Sequence, residues 1–336
     1  MKVLFVTYEA APLFKFGGLG DVAGSLPKAL RKLGVDIRIG MPLYRILTKT
    51  DFLPGTNVPV IFAESPLFQK PGIIGNNKTP KNRVVAFVHF SEKLLDTVKK
   101  LDFCPDIIHI NEWHGGLIPW LIKTKKDPFF QNTKTLVTIH NSLYQGIFLV
   151  KDIVENPTTR AIGKEIKDPA NLFVNITEIS LRYADWISTV SPTFADEILR
   201  GTFDFGLKKV ILPKRNHFVG IINGLDTSVW NPALDVHIPL RYTLAGVEQA
   251  KEKNKYYLQK KMHLTVDSRI PLFSYTARLV WQKGLGILLA SFSQLARLPL
   301  QLVVLGTGDR DVIDTMNSYS RKFPGKITIV DKYEEP

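Results

Sequence analysis

The stretch KVLFVTYEAAPLFKFGGLGDVAGSLPKALRKLGVDIRIGMP, residues 2–42, carries the pattern that decides the fold. It begins with the apolar run KVLFVTY and ends with DIRIGMP, and each run predicts a short buried strand. The apolar residues between them recur at helical spacing: Val22, Leu26, Ala29, Leu30 and Leu33. Two continuously apolar strands joined through a helix predict a parallel β-α-β unit with both faces of the sheet covered.

The same alternation continues along the chain. Further predicted strands are RVVAFVHF (83–90), DIIHINE (106–112), TLVTIH (135–140), DWISTVS (185–191) and FVGIING (218–224). SEKLLDTVKKL (91–101) predicts a helix between two of them. We therefore expect an α/β fold with a doubly wound parallel sheet.

A second domain of the same class is expected after a proline-containing stretch at residues 223–243. The alternation restarts there, with predicted strands PLFSYTARL (271–279), QLVVLGTG (301–308) and KITIV (326–330). The sequence thus predicts two domains, residues 1–236 and residues 237–336. Domains of this kind take about 150 residues, so we expect the second one to be truncated.

The overall composition excludes several classes of protein and of ligand. The 336 residues include 44 Lys and Arg against 31 Asp and Glu, a net charge of +13. The basic runs KTKK, KEKNKYYLQKK and LPKRNH are short and lack interleaved aromatics, which disfavours nucleic acid and favours small anionic ligands. No signal-like start and no apolar run of about 18 residues occur, so we expect a cytoplasmic protein without membrane contact. The single cysteine excludes a disulfide framework and a cysteine-based zinc site.

The loop LFKFGGLGD predicts a phosphate site, because ligands of doubly wound sheets bind at the carboxyl ends of the strands. Lys15 supplies a cation, and Gly17 and Gly18 permit positive φ and close approach of backbone to a ligand. Gly18-x-Gly20-x-x-Ala23 matches the dinucleotide fingerprint, but EAAPLFKF separates it from the strand and no acid ends the second strand. A Walker motif is absent as well, so dehydrogenase and P-loop ATPase interpretations are rejected.

Two further patterns can be interpreted either as part of a ligand or metal site or as ordinary structural features. Gly306 and Gly308 in VVLGTGD fit either a ligand loop or a tight turn into a helix, and the sequence leaves both open. Glu112 and His114, with His109 nearby, are candidate metal ligands, because residues two apart on a strand face the same side, but nothing completes a ligand shell. We expect no metal and no cofactor.

Eight motifs in order resemble the bacterial glycogen synthase and plant starch synthase family. They are KFGGLGDVAGSLPKAL (15–30), PDIIHINEWHG (105–115), TIHNSLYQGIF (138–148), TVSPTFADEI (189–198), INGLDTSVWNP (222–232), NKYYLQKKM (254–262), TARLVWQKG (276–284) and VVLGTGD (303–309). The resemblance implies two Rossmann-like domains facing across a cleft, the GT-B fold. It also implies transfer of glucose from ADP-glucose to the non-reducing end of an α-1,4-glucan with retention of configuration.

The resemblance also assigns residues. Arg278 and Lys283 would bind the donor diphosphate. Lys15 and the backbone amides of Gly17 and Gly18 would contact the same diphosphate from the other domain. These cations and amides suit a leaving group that gains negative charge. By the same resemblance, the ring of His140 lies beside the transferred glucosyl unit and hydrogen-bonds a sugar hydroxyl.

Three departures from the family pattern qualify these expectations. Glu112 stands where the family usually has Asp, so the geometry of its predicted catalytic role on the acceptor side is open. Trp281, near the Arg-Lys motif, is either a sugar platform or an ordinary turn aromatic. The family's PS-x-x-EP-x-G carboxylate motif does not occur, and we do not assign catalysis to Glu334 or Glu335 in YEEP.

Two alternatives therefore stay open beside the glucan synthase. One is another retaining glycosyltransferase that uses a different nucleotide sugar. The other is a non-catalytic glucan-binding protein, which the missing donor motif makes conceivable.

Overall fold

The computed structural model describes residues 1–68, 81–149, 158, 160–162 and 173–332. The chain divides into two compact units, Met1–Leu225 and Asp226–Pro336. The boundary expected from the sequence, after residue 236, lies inside the second unit, near the end of the proline-containing stretch. In these ranges no helix has the length and apolar character to cross a membrane.

A parallel sheet of seven strands organises the first unit, in the order β3-β2-β1-β4-β5-β8-β9. Its strands are β1 Lys2–Val6, β2 Asp36–Pro42, β3 Val60–Ala63, β4 Ile107–Asn111, β5 Lys134–Ile139, β8 Trp186–Thr189 and β9 Phe218–Gly220. The short strands β6 (Ile147–Leu149) and β7 (Phe173–Asn175) pair antiparallel. The strand order reverses between β1 and β4, which is where ligands bind in sheets of this type.

Helices cover this sheet on both faces. Those of the first unit are α1 Gly18–Lys32, α2 Lys81–Lys100, α3 Ile118–Lys125, α4 Ile176–Tyr183, α5 Pro192–Arg200 and α6 Lys208–Ile211. Alternate residues of β1 enter two different cores, Val3 and Phe5 on one face and Leu4 and Val6 on the other. This double burial explains why the strands read as continuous apolar runs.

The prediction of a strand at RVVAFVHF is wrong, because this segment forms the first half of α2. Ala86, Val88 and Phe90 are buried, and the residues between them are half-buried. A helix covered on all sides lacks the polar stripe that marks an amphipathic helix, and a short apolar run then reads the same as a buried strand. The sequence also missed β3, which occupies the sheet edge.

The second unit repeats the architecture on a smaller scale. Its helices are α7 Val247–Lys261, α8 Leu285–Leu295 and α9 Arg310–Lys322, and its strands are β10 Leu272–Thr276, β11 Gln301–Leu305 and β12 Ile327–Val330. The three strands form a parallel sheet, as the sequence predicted, and the structure places them in chain order. Phe292, Val304 and Met316 are fully buried in its core.

Candidate active site

The candidate site of the first unit lies at the carboxyl ends of β1, β4 and β5. These strands are neighbours, and β1 and β4 flank the point where the strand order reverses. The residues that follow them are Tyr8 and Glu9 after β1, Glu112 after β4 and His140 after β5. Topology therefore brings together side chains from three distant parts of the sequence.

Glu9 anchors the glycine loop. Its side chain is buried, and its Oε2 accepts hydrogen bonds from the backbone N–H groups of Phe16 and of Gly17, the latter at 3.2 Å. The Tyr8 hydroxyl also donates to this carboxylate. Burial raises the pKa of Glu9 against the opposing effect of these hydrogen bonds. Glu9 was not predicted as a site residue, because the backbone amides that it holds leave no pattern in the sequence.

Lys15 lies on this loop, with its Nζ 2.8 Å from the Asp21 carboxylate in the first turn of α1. Gly17 and Gly18 permit positive φ, but neither backbone adopts it. Both glycines instead face open space, with nothing within 4 Å of a Cβ built on either. Gly20 has a steric role, since a Cβ there would lie 2.9 Å from Lys15 Cγ. The loop thus leaves open space beside Gly17 and Gly18 at the start of α1.

Glu112 has left-handed backbone geometry, with φ 65°. Its Oε1 accepts hydrogen bonds from the backbone N–H groups of His140 at 2.7 Å and Asn141 at 2.9 Å. Burial raises the pKa of Glu112 to about 8, with a further contribution from the Glu9 charge, while the two amides act in the opposite direction. The carboxyl group is therefore mostly protonated at neutral pH.

His140 is held through its ring as well as its backbone. Its Nε2 lies 3.0 Å from Oδ1 of Asn111, the last residue of β4. Burial lowers the pKa of His140 to about 4, so the ring is neutral at physiological pH. Asn111 did not stand out in the sequence, because an Asn at a strand end has many ordinary roles.

The two other histidines near Glu112 have separate surroundings. His109 Nε2 lies 2.7 Å from Thr138 Oγ1. His114 is buried between the rings of Tyr8 and Trp113, with centroid separations of 3.6 and 4.1 Å. Within the described ranges, no group of three His, Cys, Asp or Glu side chains could hold a metal ion.

In the second unit, Arg278 and Lys283 flank a turn after β10. Leu279 N–H donates to Thr307 O at 2.8 Å, which ties the Arg278 loop to the turn after β11. A Cβ on Gly306 would overlap the carbonyl oxygen of Ala277, so this glycine permits the close approach of the two segments. Gly306 and Gly308 thus have a structural role in shaping the Arg278 loop.

Lys283 is exposed at the end of a 3-10 turn, Trp281–Lys283, and its carbonyl accepts from the Tyr275 hydroxyl at 2.9 Å. Trp281 is 69% exposed and packs against Gly286 in the first turn of α8. Among the described residues, neither Arg278 nor Lys283 takes part in an ion pair with a carboxylate.

The starch synthase catalytic domain family matches residues 2–212. The chain belongs to this family. The glycogen synthase of Alkaliphilus metalliredigens is 34% identical over 358 residues, which cover 98% of this chain and 74% of that protein. The glycogen synthase of Thermotoga petrophila is also 34% identical, over 99% of this chain and 74% of its own length.

Solved structures agree with the family match. The catalytic domain of starch synthase IV from Arabidopsis thaliana, bound to ADP and acarbose, matches 99% of this chain and 74% of its own with a TM-score of 0.87 at 25% identity. The sucrose-phosphate synthase of Thermosynechococcus elongatus shares the fold, with a TM-score of 0.60 at 16% identity. The predicted resemblance, the GT-B fold class and the assignment as a glycosyltransferase are confirmed.

The structure places the predicted site residues in two groups, one in each unit. In the first unit, Lys15, Gly17 and Gly18 share one loop, and Glu112 contacts the backbone of His140. In the second unit, Arg278 and Lys283 share one turn region. Their roles as ligand contacts stay predictions. Glu334 and Glu335 lie outside the described residues.

Proposed function

We propose that this chain transfers glucosyl units from ADP-glucose to the non-reducing ends of an α-1,4-glucan with retention of configuration. The observation that carries the proposal is that the Lys15 loop and His140 follow β1 and β5, two strands of a starch synthase family sheet that end at the same carboxyl edge with β4 between them. The Arabidopsis relative bound to ADP and acarbose supports a nucleotide and a sugar-like ligand for this fold. We also propose a cytoplasmic location.

The charges of the proposed site suit a diphosphate leaving group. Cleavage of the sugar-phosphate bond increases the negative charge on the diphosphate, and nearby cations stabilise the transition state more than the ground state. Lys15, Arg278 and Lys283 would supply these cations. Lys15 is paired with Asp21, and we propose that the donor phosphate competes with this carboxylate for its ammonium group.

An uncharged His140 ring is suited to hydrogen-bonding the hydroxyl groups of an uncharged sugar. The low pKa of this ring, about 4, keeps it uncharged at physiological pH. In the neutral ring one nitrogen is a donor and the other an acceptor, and the nitrogen that does not contact Asn111 is available to a sugar hydroxyl. This division assigns phosphate recognition to Lys15, Arg278 and Lys283 and sugar recognition to His140.

A donor-choice assay tests the proposal. The purified chain is incubated with glycogen and either ADP-glucose or UDP-glucose, each with a radiolabelled glucosyl group, and the label incorporated into glycogen is measured. We expect a higher kcat/KM with ADP-glucose, and loss of incorporation in His140→Ala. A preference for UDP-glucose would favour the alternative glycosyltransferase. Glycogen binding without incorporation from either donor would favour the non-catalytic glucan-binding protein.

A further inference from the structure

We infer that Asn111 and Glu112 are positioning residues, which hold the ring and the backbone of His140 so that its Nδ1 presents a lone pair to the ligand. Asn111 fixes the ring and Glu112 fixes the peptide that carries it. The inference deepens the proposed function, and rests on it only in taking the ligand at this edge to be a sugar.

The orientation of the Asn111 amide comes from the carbonyl groups around it. Its Nδ2 donates to Val6 O at 3.2 Å and lies 3.4 Å from His109 O. The reverse orientation would place Oδ1 against these two acceptors, so the amide oxygen must face His140. The Asn111 side chain therefore spans β1 and β4 at the carboxyl edge of the sheet.

This orientation determines the tautomer of His140. Oδ1 of Asn111 can only accept a hydrogen bond, and it lies 3.0 Å from Nε2 of the ring. Nε2 must therefore carry the proton, and in the neutral ring Nδ1 is left with a lone pair. In the described part of the chain, Nδ1 has no hydrogen-bond partner.

Glu112 fixes the backbone at the same point. One of its oxygens accepts from two consecutive amides, those of His140 and Asn141, immediately after β5 ends. Its own N–H donates to Thr138 O, so β4 and β5 stay paired up to this residue. Either a carboxyl or an amide oxygen can accept these two bonds. The positioning role therefore requires an acceptor at this place and does not require a negative charge.

A lone pair on Nδ1 selects the chemistry of the ligand. It accepts a hydrogen bond from a hydroxyl group, whereas an ionised phosphate oxygen offers no proton and would meet the lone pair unfavourably. The ring thus favours a sugar hydroxyl over the donor phosphate at this position. A ring with the opposite tautomer would carry Nδ1–H, which could donate a hydrogen bond either to a hydroxyl oxygen or to a phosphate oxygen.

Nitrogen NMR of the histidine rings tests the tautomer without requiring activity. We label the chain with ¹⁵N-histidine, assign the His140 signals by their absence in His140→Gln, and compare the wild type with Asn111→Leu. We expect the Nε2–H tautomer in the wild type and a mixture of tautomers in Asn111→Leu. An Nδ1–H ring in the wild type, or an unchanged ring in Asn111→Leu, would overturn the inference even if glucosyl transfer is confirmed.

Measurements of kcat then distinguish a positioning role of Glu112 from its direct participation in the reaction. We expect Glu112→Gln to stay within about fivefold of the wild-type kcat, because an amide oxygen keeps both hydrogen bonds. Glu112→Ala and Asn111→Leu should each lower kcat about 10- to 100-fold, as loss of an orienting partner does elsewhere. A Glu112→Gln variant as inactive as Glu112→Ala would overturn the positioning role.

Thr138→Val is the matched control. Thr138 is buried at the end of β5 and bonds to His109 and to Ser188, but its side chain has no hydrogen bond to His140. We expect this variant to lose thermal stability and to keep the wild-type kcat and His140 tautomer. An equal loss of kcat in Thr138→Val would show that general loosening of the strand end explains the other variants, and would overturn the inference.

Discussion

Replacing Glu112 by Gln should stabilise the chain at alkaline pH. Burial raises the pKa of Glu112 from 4.5 to about 8 in the folded state. Below pH 4.5 the carboxyl group is protonated in both the folded and the unfolded chain, so its pH-dependent contribution is fully present there. As the pH rises, the unfolded chain ionises first, and the wild type loses stability until the folded group ionises near pH 8. Gln does not titrate and avoids this loss.

The size of this stabilisation follows from the shift in the pKa of Glu112. A change from 4.5 to about 8 corresponds to at most about 5 kcal/mol in the free energy of unfolding. The side chain is partly exposed, and solvent screening reduces the expected difference to about 2 kcal/mol. For a unit of this size, this difference corresponds to an increase of about 4–8 °C in melting temperature.

The assay is thermal melting of the wild type and Glu112→Gln at pH 4.5, 7 and 9. We expect similar melting temperatures at pH 4.5 and a growing advantage of the variant toward pH 9. Glu64→Gln is the control, because Glu64 is exposed and pairs with Lys49 at 2.7 Å, where a surface ion pair contributes about 0–1 kcal/mol. A difference between Glu112→Gln and wild type that does not change with pH would refute the reasoning.

Three other substitutions test the remaining parts of the site. Arg278→Ala should lower kcat about 100- to 1,000-fold and leave glycogen co-sedimentation intact, whereas equal loss of both would contradict its assignment to the donor phosphate. Lys15→Met should lower kcat/KM for ADP-glucose about 100-fold with an unchanged glucan affinity, and an effect on glucan affinity alone would contradict it. Gly306→Ala should lower the melting temperature of the second unit, because the new Cβ overlaps the Ala277 carbonyl. Unchanged melting would show that this contact relaxes freely.

Most of the architecture could be predicted from the sequence because strands in a parallel sheet are buried on both faces. The runs that became β1, β2, β4, β5 and β11 are mostly apolar and mostly buried, and they are bounded by turn residues or helices. The same property made RVVAFVHF ambiguous, since α2 is also covered on all sides there. The local pattern of apolar residues cannot distinguish a helix from a strand when both are buried to a similar degree.

The motif residues of the site could be named from the sequence, but the contacts among them could not. Asn111 and Glu112 lie 29 and 28 positions before His140 in sequence, and only the pairing of β4 with β5 brings them to it. Glu9 was missed for a similar reason, because its function is to hold loop amides and amides leave no pattern in the sequence. Gly17 and Gly18 lie in a loop, as predicted, without adopting the positive φ that glycine permits, and the role of this loop as a ligand contact stays a prediction.

The measurement that tests the central claim most directly is elongation of a labelled maltooligosaccharide by the purified chain. The chain is incubated with ADP-glucose and a fluorescent maltopentaose, and products are separated by size while ADP is quantified. The account predicts a ladder that grows by single glucosyl units, with one ADP released for each unit added and α-1,4 linkages throughout. Release of ADP with free glucose and no ladder, or an unextended acceptor with no ADP, would contradict it.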